Sequence, residues 1–212
     1  MSRSKNKLIG IVLLAGLFAF MRNTLTQLQA EQADAQIIHT WVPYDKISTN
    51  LKRAVVAAED SNFINHGGVE WEAIQRAWEY NMRMSESGSE RVRGGSTITQ
   101  QLAKNLFLSS DRSYWRKAQE LLLTFMLEAV LSKQRILELY LNIAQWGKNV
   151  FGAQAAAEHY FKRHAAQLNA AQSARLAAML PNPAYYDKRG NTRYLQSRTR
   201  TLLQRMRMVE VP

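Results

Sequence analysis

The chain contains no cysteine, which excludes a disulfide framework and any thiolate-held zinc and leaves redox chemistry silent about its compartment. Histidine is scarce: His39, His66, His159 and His164 stand too far apart to spell a zinc motif such as His-Glu-x-x-His. Only 4 prolines and 10 glycines punctuate 212 residues. Long segments therefore run without turn signals, and their apolar periodicity is helical rather than alternating, so the expected domain is nearly all α. Acids are short as well, 17 Asp+Glu against 28 Lys+Arg for a net charge of +11. That balance favours anionic partners, with nucleic acid, acidic lipid and phosphorylated substrates all open. Hydrophobic residues make up 46%, enough to exclude a mainly disordered chain and to build one substantial core.

Long apolar runs are missing too. The longest, "LIGIVLLAGLFAFM", covers 8–21 and is closed by Arg22, whereas a spanning helix wants roughly 20 apolar residues. The small-x-small triplet Ala33-Asp34-Ala35 lies too far beyond it for signal-peptide cleavage. The expectation is an uncleaved anchor over 8–28, lengthened by Leu25 and Leu28 while Arg22 snorkels to the interface. Arg3, Lys5 and Lys7 in the basic start 1–7 would keep the N-terminus cytoplasmic and export the remainder. A polar stalk, 29–40, should lead to a folded part that opens at Trp41 and runs to 209.

Within that part, Ser48 or Thr49 can cap a helix whose Leu51, Val55, Ala58 and Glu59 share one face. After Gly67 and Gly68 a second helix is expected to turn Trp71, Ile74, Trp78 and Met82 inward. "RMSESGSERVRGG" reads as a mobile connection, and in "STITQQLAKNLFL" Thr97 and Gln100 are spaced as a capping box. "LLLTFMLEAVL", within 113–131, is apolar on nearly every side, the pattern of a central buried helix. Further helices are expected over 132–143, 152–163, 169–180 and 193–208.

Glu59 is the first candidate for chemistry. A carboxylate on a buried stripe at a helix C-terminus loses hydration and faces the negative end of the dipole, so its pKa should rise toward neutrality, as a general base or acid requires. The same residue, or Asp60, could equally be a surface acid that ends a helix. A second candidate is the row Thr97, Gln100, Gln101 and Lys104, either a wet helix face or a set of donors for sugar or phosphate. A third is "DRSYWRKAQE": Arg116 and Glu120 can pair across one turn, yet Arg112, Arg116 and Lys117 also make an anion seat beside a helix N-terminus. His66 reads as a structural hydrogen-bonder rather than a catalyst.

In order, "EDSNFINHGGVEW", "GGSTITQQLAKNLFL", "RKAQE", "KQRILELYLN" and "ARLAAMLPNP" resemble the five motif blocks of the peptidoglycan glycosyltransferases, glycosyltransferase family 51. The resemblance implies an all-α, lysozyme-like fold with head and jaw lobes around a groove, the jaw touching the membrane. It implies polymerisation of lipid II into β-1,4 glycan strands, with inversion and release of undecaprenyl pyrophosphate. Its implied partners are lipid II, the growing strand and cell-wall synthesis or division proteins, with no nucleic acid. The implied place is the bacterial inner membrane, single-pass, with the catalytic domain periplasmic. Glu59 matches the general base and Glu120 the second essential carboxylate, while Ser96, Gln101, Lys104, Asn105, Arg112, Arg116 and Lys117 match positions around the donor diphosphate. A divalent cation, Mg2+ or Mn2+, is expected to be held chiefly by the pyrophosphate, with its protein ligands unspecified and no organic cofactor. Ser-x-x-Lys occurs only in the basic start and Lys-Thr-Gly not at all, which implies the monofunctional form; Glu70 stands where the family commonly has aspartate. The rival readings are a lytic, lysozyme-like hydrolase, which needs no diphosphate seat, and a non-catalytic basic adaptor at the membrane.

Overall fold

A computed structural model describes residues 37–88, 94–108 and 114–212. The expected start and anchor lie outside these residues, as do 29–36 of the stalk, 89–93 of the expected mobile connection and Arg112, while 83–86 of that connection belong to the helix Trp71–Glu86. No helix among the described residues is long and apolar enough to cross a membrane.

The described chain is mainly helical. Its helices are α1 (Thr49–Glu59), α2 (Trp71–Glu86), α3 (Ile98–Phe107), α4 (Tyr114–Val130), α5 (Lys133–Ile143), α6 (Ala153–Phe161), α7 (Ala170–Met179), α8 (Pro183–Arg189) and α9 (Arg193–Arg205). Local chemistry sets several of their starts. Ser48, Ser132 and Thr192 accept backbone N–H groups at the heads of α1, α5 and α9. Reciprocal capping boxes, Thr97 with Gln100 and Asn169 with Gln172, begin α3 and α7. Helix α8 was not foreseen; its signal is Asn182 as N-cap followed by Pro183 at the first turn.

The expectation of an all-α domain needs one correction. Three short strands, β1 (Ile38–His39), β2 (Gln145–Gly147) and β3 (Val150–Phe151), form a sheet ordered β1-β3-β2, with β1 parallel and β2 antiparallel to β3. The first of these strands, Ile38–His39, lies within the expected stalk. Strands of two or three residues carry too little alternation to be read as strands.

The core sits where α7 packs between α1 and α9, and where α3 lies against α4 and α5. Leu51, Leu102, Leu137 and Leu176 are fully buried there, each stabilising the fold by about 1.5–3 kcal/mol. Two expectations about facing fail against this core. The face of α2 expected to point inward is exposed, Trp71 by 65% and Trp78 by 63%, with Ile74 and Met82 beside them. Helix α4 is no central buried helix either: Leu122 is 62% exposed, and Trp115, Phe125, Met126 and Val130 are exposed with it. Periodicity identifies an apolar face without saying what covers it. In this chain the buried faces of α5, α6 and α7 supply much of the interior.

Asn142 fastens the N-terminal segment to this core. Its Oδ1 accepts from Val42 N at 2.9 Å, and its Nδ2 donates to the carbonyls of Val42 and Glu138, each at 2.9 Å. Its own carbonyl accepts from His39 Nε2 at 3.0 Å. The same carbonyl lies 2.7 Å from where a Cβ on Gly152 would sit, at a φ of +84°, so no other residue fits there without strain. Asn142→Ala leaves buried backbone groups unpaired and should cost about 2–4 kcal/mol in urea denaturation. A loss under about 1 kcal/mol would show that the tether is dispensable.

Candidate active site

The site begins with helix phase. Glu59 follows the buried Val55 and Val56 by one turn, so the last residue of α1 lies over the interior rather than in solvent. Its Oε2 accepts from Gln101 Nε2 at 2.9 Å, and Gln101 Oε1 accepts from the Tyr140 hydroxyl at 3.0 Å. Burial pushes the Glu59 carboxyl above the ordinary value of 4.5; Gln101, Arg198 and Lys104 pull it partly back, and Asp60 adds to the rise. The expected direction of that shift is therefore present, with desolvation as its chief cause.

Asp60, the C-cap of α1, holds the neighbouring elements in place. It is 5% exposed. Its Oδ2 accepts from the Ile98 N–H at 3.0 Å, at the positive end of α3, and its Oδ1 lies 2.9 Å from His66 Nε2. Gly68 N donates to His66 Nδ1 at 3.1 Å. The Nδ1 is thus an acceptor, which puts the proton on Nε2, facing Asp60. The structural reading of His66 holds. Gly68 itself has φ +92°, and a Cβ there would sit 2.7 Å from Thr124 Cγ2 and 2.9 Å from Glu128 Cγ. The loop passes through a gap that only glycine leaves open.

A cavity of about 850 Å³ opens beside Glu59. Ser96 and Gln101 line it, with Arg76 from α2 and Tyr194, Arg198 and Arg205 from α9. Of the row expected on α3, Thr97 and Gln100 are buried and spent on the capping box, and Thr97 Oγ1 also donates to Gly68 O at 2.6 Å. Thr97 and Gln101 of the row reach the cavity wall, and Gln100 and Lys104 are not among its described lining residues. Lys104 and Asn105 are exposed further along the helix.

The second carboxylate stands in a different setting. Glu120 is 3% exposed, bonded to Lys117 and 3.8 Å from Arg116. Thr124 Oγ1 donates to its carbonyl at 2.7 Å. Glu120, Lys104, Asn105, Arg116 and Lys117 are not among the described residues lining the cavity. The structure thus brings Glu59, Ser96 and Gln101 together, and separately Glu120, Arg116 and Lys117.

Among the described residues, the ligand atoms of Asp60, His66 and Glu70 lie within 4.8 Å of one another. They do not suit a protein-held cation. Both oxygens of Asp60 accept N–H groups, Nδ1 of His66 accepts from Gly68, and Glu70 pairs with Arg76 at 2.9 Å.

Arg76, Tyr140, Tyr194, Arg198 and Arg205 escaped the sequence reading. Tyr140 sits in "LELYLN" and looks like any core aromatic, and Arg198 is one of several arginines scattered along α9. Only tertiary packing brings either to Glu59.

The family profile described as Transglycosylase matches residues 23–207. The chain belongs to this family. A biosynthetic peptidoglycan transglycosylase of Bordetella avium is 63% identical over 197 residues, 93% of this chain and 82% of that protein. The protein of the same name from Bordetella pertussis is 62% identical over 197 residues, 93% of this chain and 81% of the relative. That from Herminiimonas arsenicoxydans is 56% identical over 194 residues, 92% and 82% of the two chains. The span matched to the Transglycosylase family includes both buried carboxylates and every residue of the cavity wall named above.

The raised pKa of Glu59 sets a pH dependence of stability. Between its unfolded and folded pKa values the folded state binds more protons, so rising pH removes stability across that window. Glu59→Gln should accordingly gain stability relative to the parent at pH 7.5 and show no such gain below pH 4. Thermal denaturation at the two pH values measures this, and an equal difference at both would contradict the desolvated carboxylate.

Proposed function

We propose that this transglycosylase polymerises lipid II into β-1,4 glycan strands, with Glu59 as the base that activates the acceptor. The observation that carries the assignment is a desolvated carboxylate in the wall of a large polar cavity, in a chain 63% identical to a protein named for peptidoglycan transglycosylation. Glu59 takes the proton from the acceptor's 4-hydroxyl. The oxygen attacks C1 of the growing strand on the opposite face from the leaving group. The C1–O bond breaks and the undecaprenyl diphosphate departs with the electron pair, leaving the anomeric centre inverted. A base with a pKa brought nearer the working pH takes that proton more effectively than an exposed glutamate would.

The departing diphosphate needs preorganised positive charge. Lys104, Arg112, Arg116 and Lys117 are assigned to it, with Ser96, Gln101 and Asn105 supplying neutral donors and Glu120 holding Lys117 and Arg116 in place. A lytic hydrolase has no use for such a cation cluster, which favours synthesis. A divalent cation, Mg2+ or Mn2+, would be brought on the diphosphate oxygens and add charge neutralisation there.

The exposed apolar faces of α2 and α4, with Trp71, Trp78, Trp115, Leu122 and Phe125, are assigned to a jaw resting on the bilayer that holds the polyprenyl tail. The anchor over 8–28 then fixes the catalytic part on the outer side of the bacterial inner membrane, where cell-wall synthesis or division proteins are its expected neighbours.

Three outcomes test this. The full chain with lipid II and a divalent cation should yield polymeric glycan, and Glu59→Gln should lower the rate at least about 100-fold with the fold retained. Lys104→Ala should lose about 10² to 10³ in rate with an unchanged circular dichroism spectrum; unfolding instead would make Lys104 structural. Trp71→Ser with Trp78→Ser should slow polymerisation of lipid II embedded in vesicles while sparing lipid II dispersed in detergent. Equal losses in both formats would remove the membrane-contacting role.

A further inference from the structure

Tyr140 is 2% exposed and is not among the described residues lining the cavity, whereas its partner Gln101 is. A buried phenol needs an acceptor for its proton, or that proton is stranded without a partner. The acceptor at hand is Gln101 Oε1, 3.0 Å away. Once that oxygen is committed to Tyr140, the amide has one orientation left, with Nε2 turned to Glu59 Oε2 at 2.9 Å. The reversed amide would set its oxygen against the carboxylate, an arrangement that suits only a protonated Glu59.

We infer that Tyr140 is a positioning residue for the base: by donating its hydroxyl proton to Gln101, it fixes the amide so that the N–H of Gln101 orients Glu59 as a carboxylate. The geometry joins three side chains by two hydrogen bonds, one side chain from each of α5, α3 and α1. Leu137 and Leu141 beside Tyr140 in α5 are fully buried, so the donor end of the relay is preorganised before substrate arrives. The other charged groups facing Glu59 are Asp60 on its own helix, Lys104 on α3 and Arg198 on α9. Their contributions do not depend on which way the amide points, whereas that of Gln101 does. The inference rests on the assignment of Glu59 as base.

The test compares the full chain with Tyr140→Phe, Gln101→Ala and the double variant in lipid II polymerisation across pH, with thermal denaturation to confirm folding. Tyr140→Phe keeps the ring and removes the donor. It should lower kcat about tenfold with KM nearly unchanged, and move the acid limb of the pH–rate profile upward by about half a unit or more. Adding Tyr140→Phe to Gln101→Ala should cost nothing further, because the amide through which Tyr140 acts is gone. Losses that multiply in the double variant, or an acid limb unmoved in Tyr140→Phe, would overturn the relay. An independent readout needs no substrate: the Gln101 side-chain amide signals, identified by their disappearance in Gln101→Ala, should respond to Glu59 ionisation in the parent and lose that response in Tyr140→Phe. If the parent fails to polymerise lipid II while these signals behave as described, the base assignment falls and the hydrogen-bond relay stands. If the signals are the same in both proteins, the relay falls whatever the activity.

Discussion

The candidate site is organised around one buried carboxylate. Asp60 accepts the first N–H of α3 and the imidazole N–H of His66, so the end of α1, the loop through Gly68 and the head of α3 are drawn to a single point. Its oxygens face the N-terminus of α3 and two N–H donors, so the buried polar atoms are satisfied. Glu59 and Gln101 belong to two of the elements so joined. Their 2.9 Å hydrogen bond follows from that junction rather than from any affinity between the two chain segments.

The two catalytic candidates illustrate how environment divides one residue type into two roles. Glu59 has an amide as its direct partner and only distant cations, so desolvation prevails and its proton affinity rises. Glu120, 3% exposed, is instead bonded to Lys117 and lies beside Arg116, an arrangement suited to holding cations. A base and a cation holder on one substrate require this kind of contrast.

Much of this was legible in the chain. The caps at Ser48, Thr97 and Asn169 are local hydrogen-bond chemistry and can be read from spacing. The position of Glu59 on a buried stripe follows from helix phase alone. What could not be read is which apolar faces meet each other. Trp71 and Trp78 repeat with the period of a core face, yet they point outward, because the pattern is the same whether protein or lipid lies opposite. Tyr140 and Arg198 reach Glu59 only after α5 and α9 have packed against the helices that carry the motifs. The two- and three-residue strands are shorter than any periodicity that would announce them.

The account rests on a carboxylate that burial has made a better base than an exposed glutamate. Titration of the Glu59 side-chain carboxyl by carbon-13 NMR, assigned by its loss in Glu59→Gln, measures this without substrate or assay. The expected midpoint lies above the ordinary 4.5. A midpoint at or below that value would mean that Gln101, Lys104 and Arg198 outweigh desolvation, and that Glu59 is held as an ordinary anion rather than as a base.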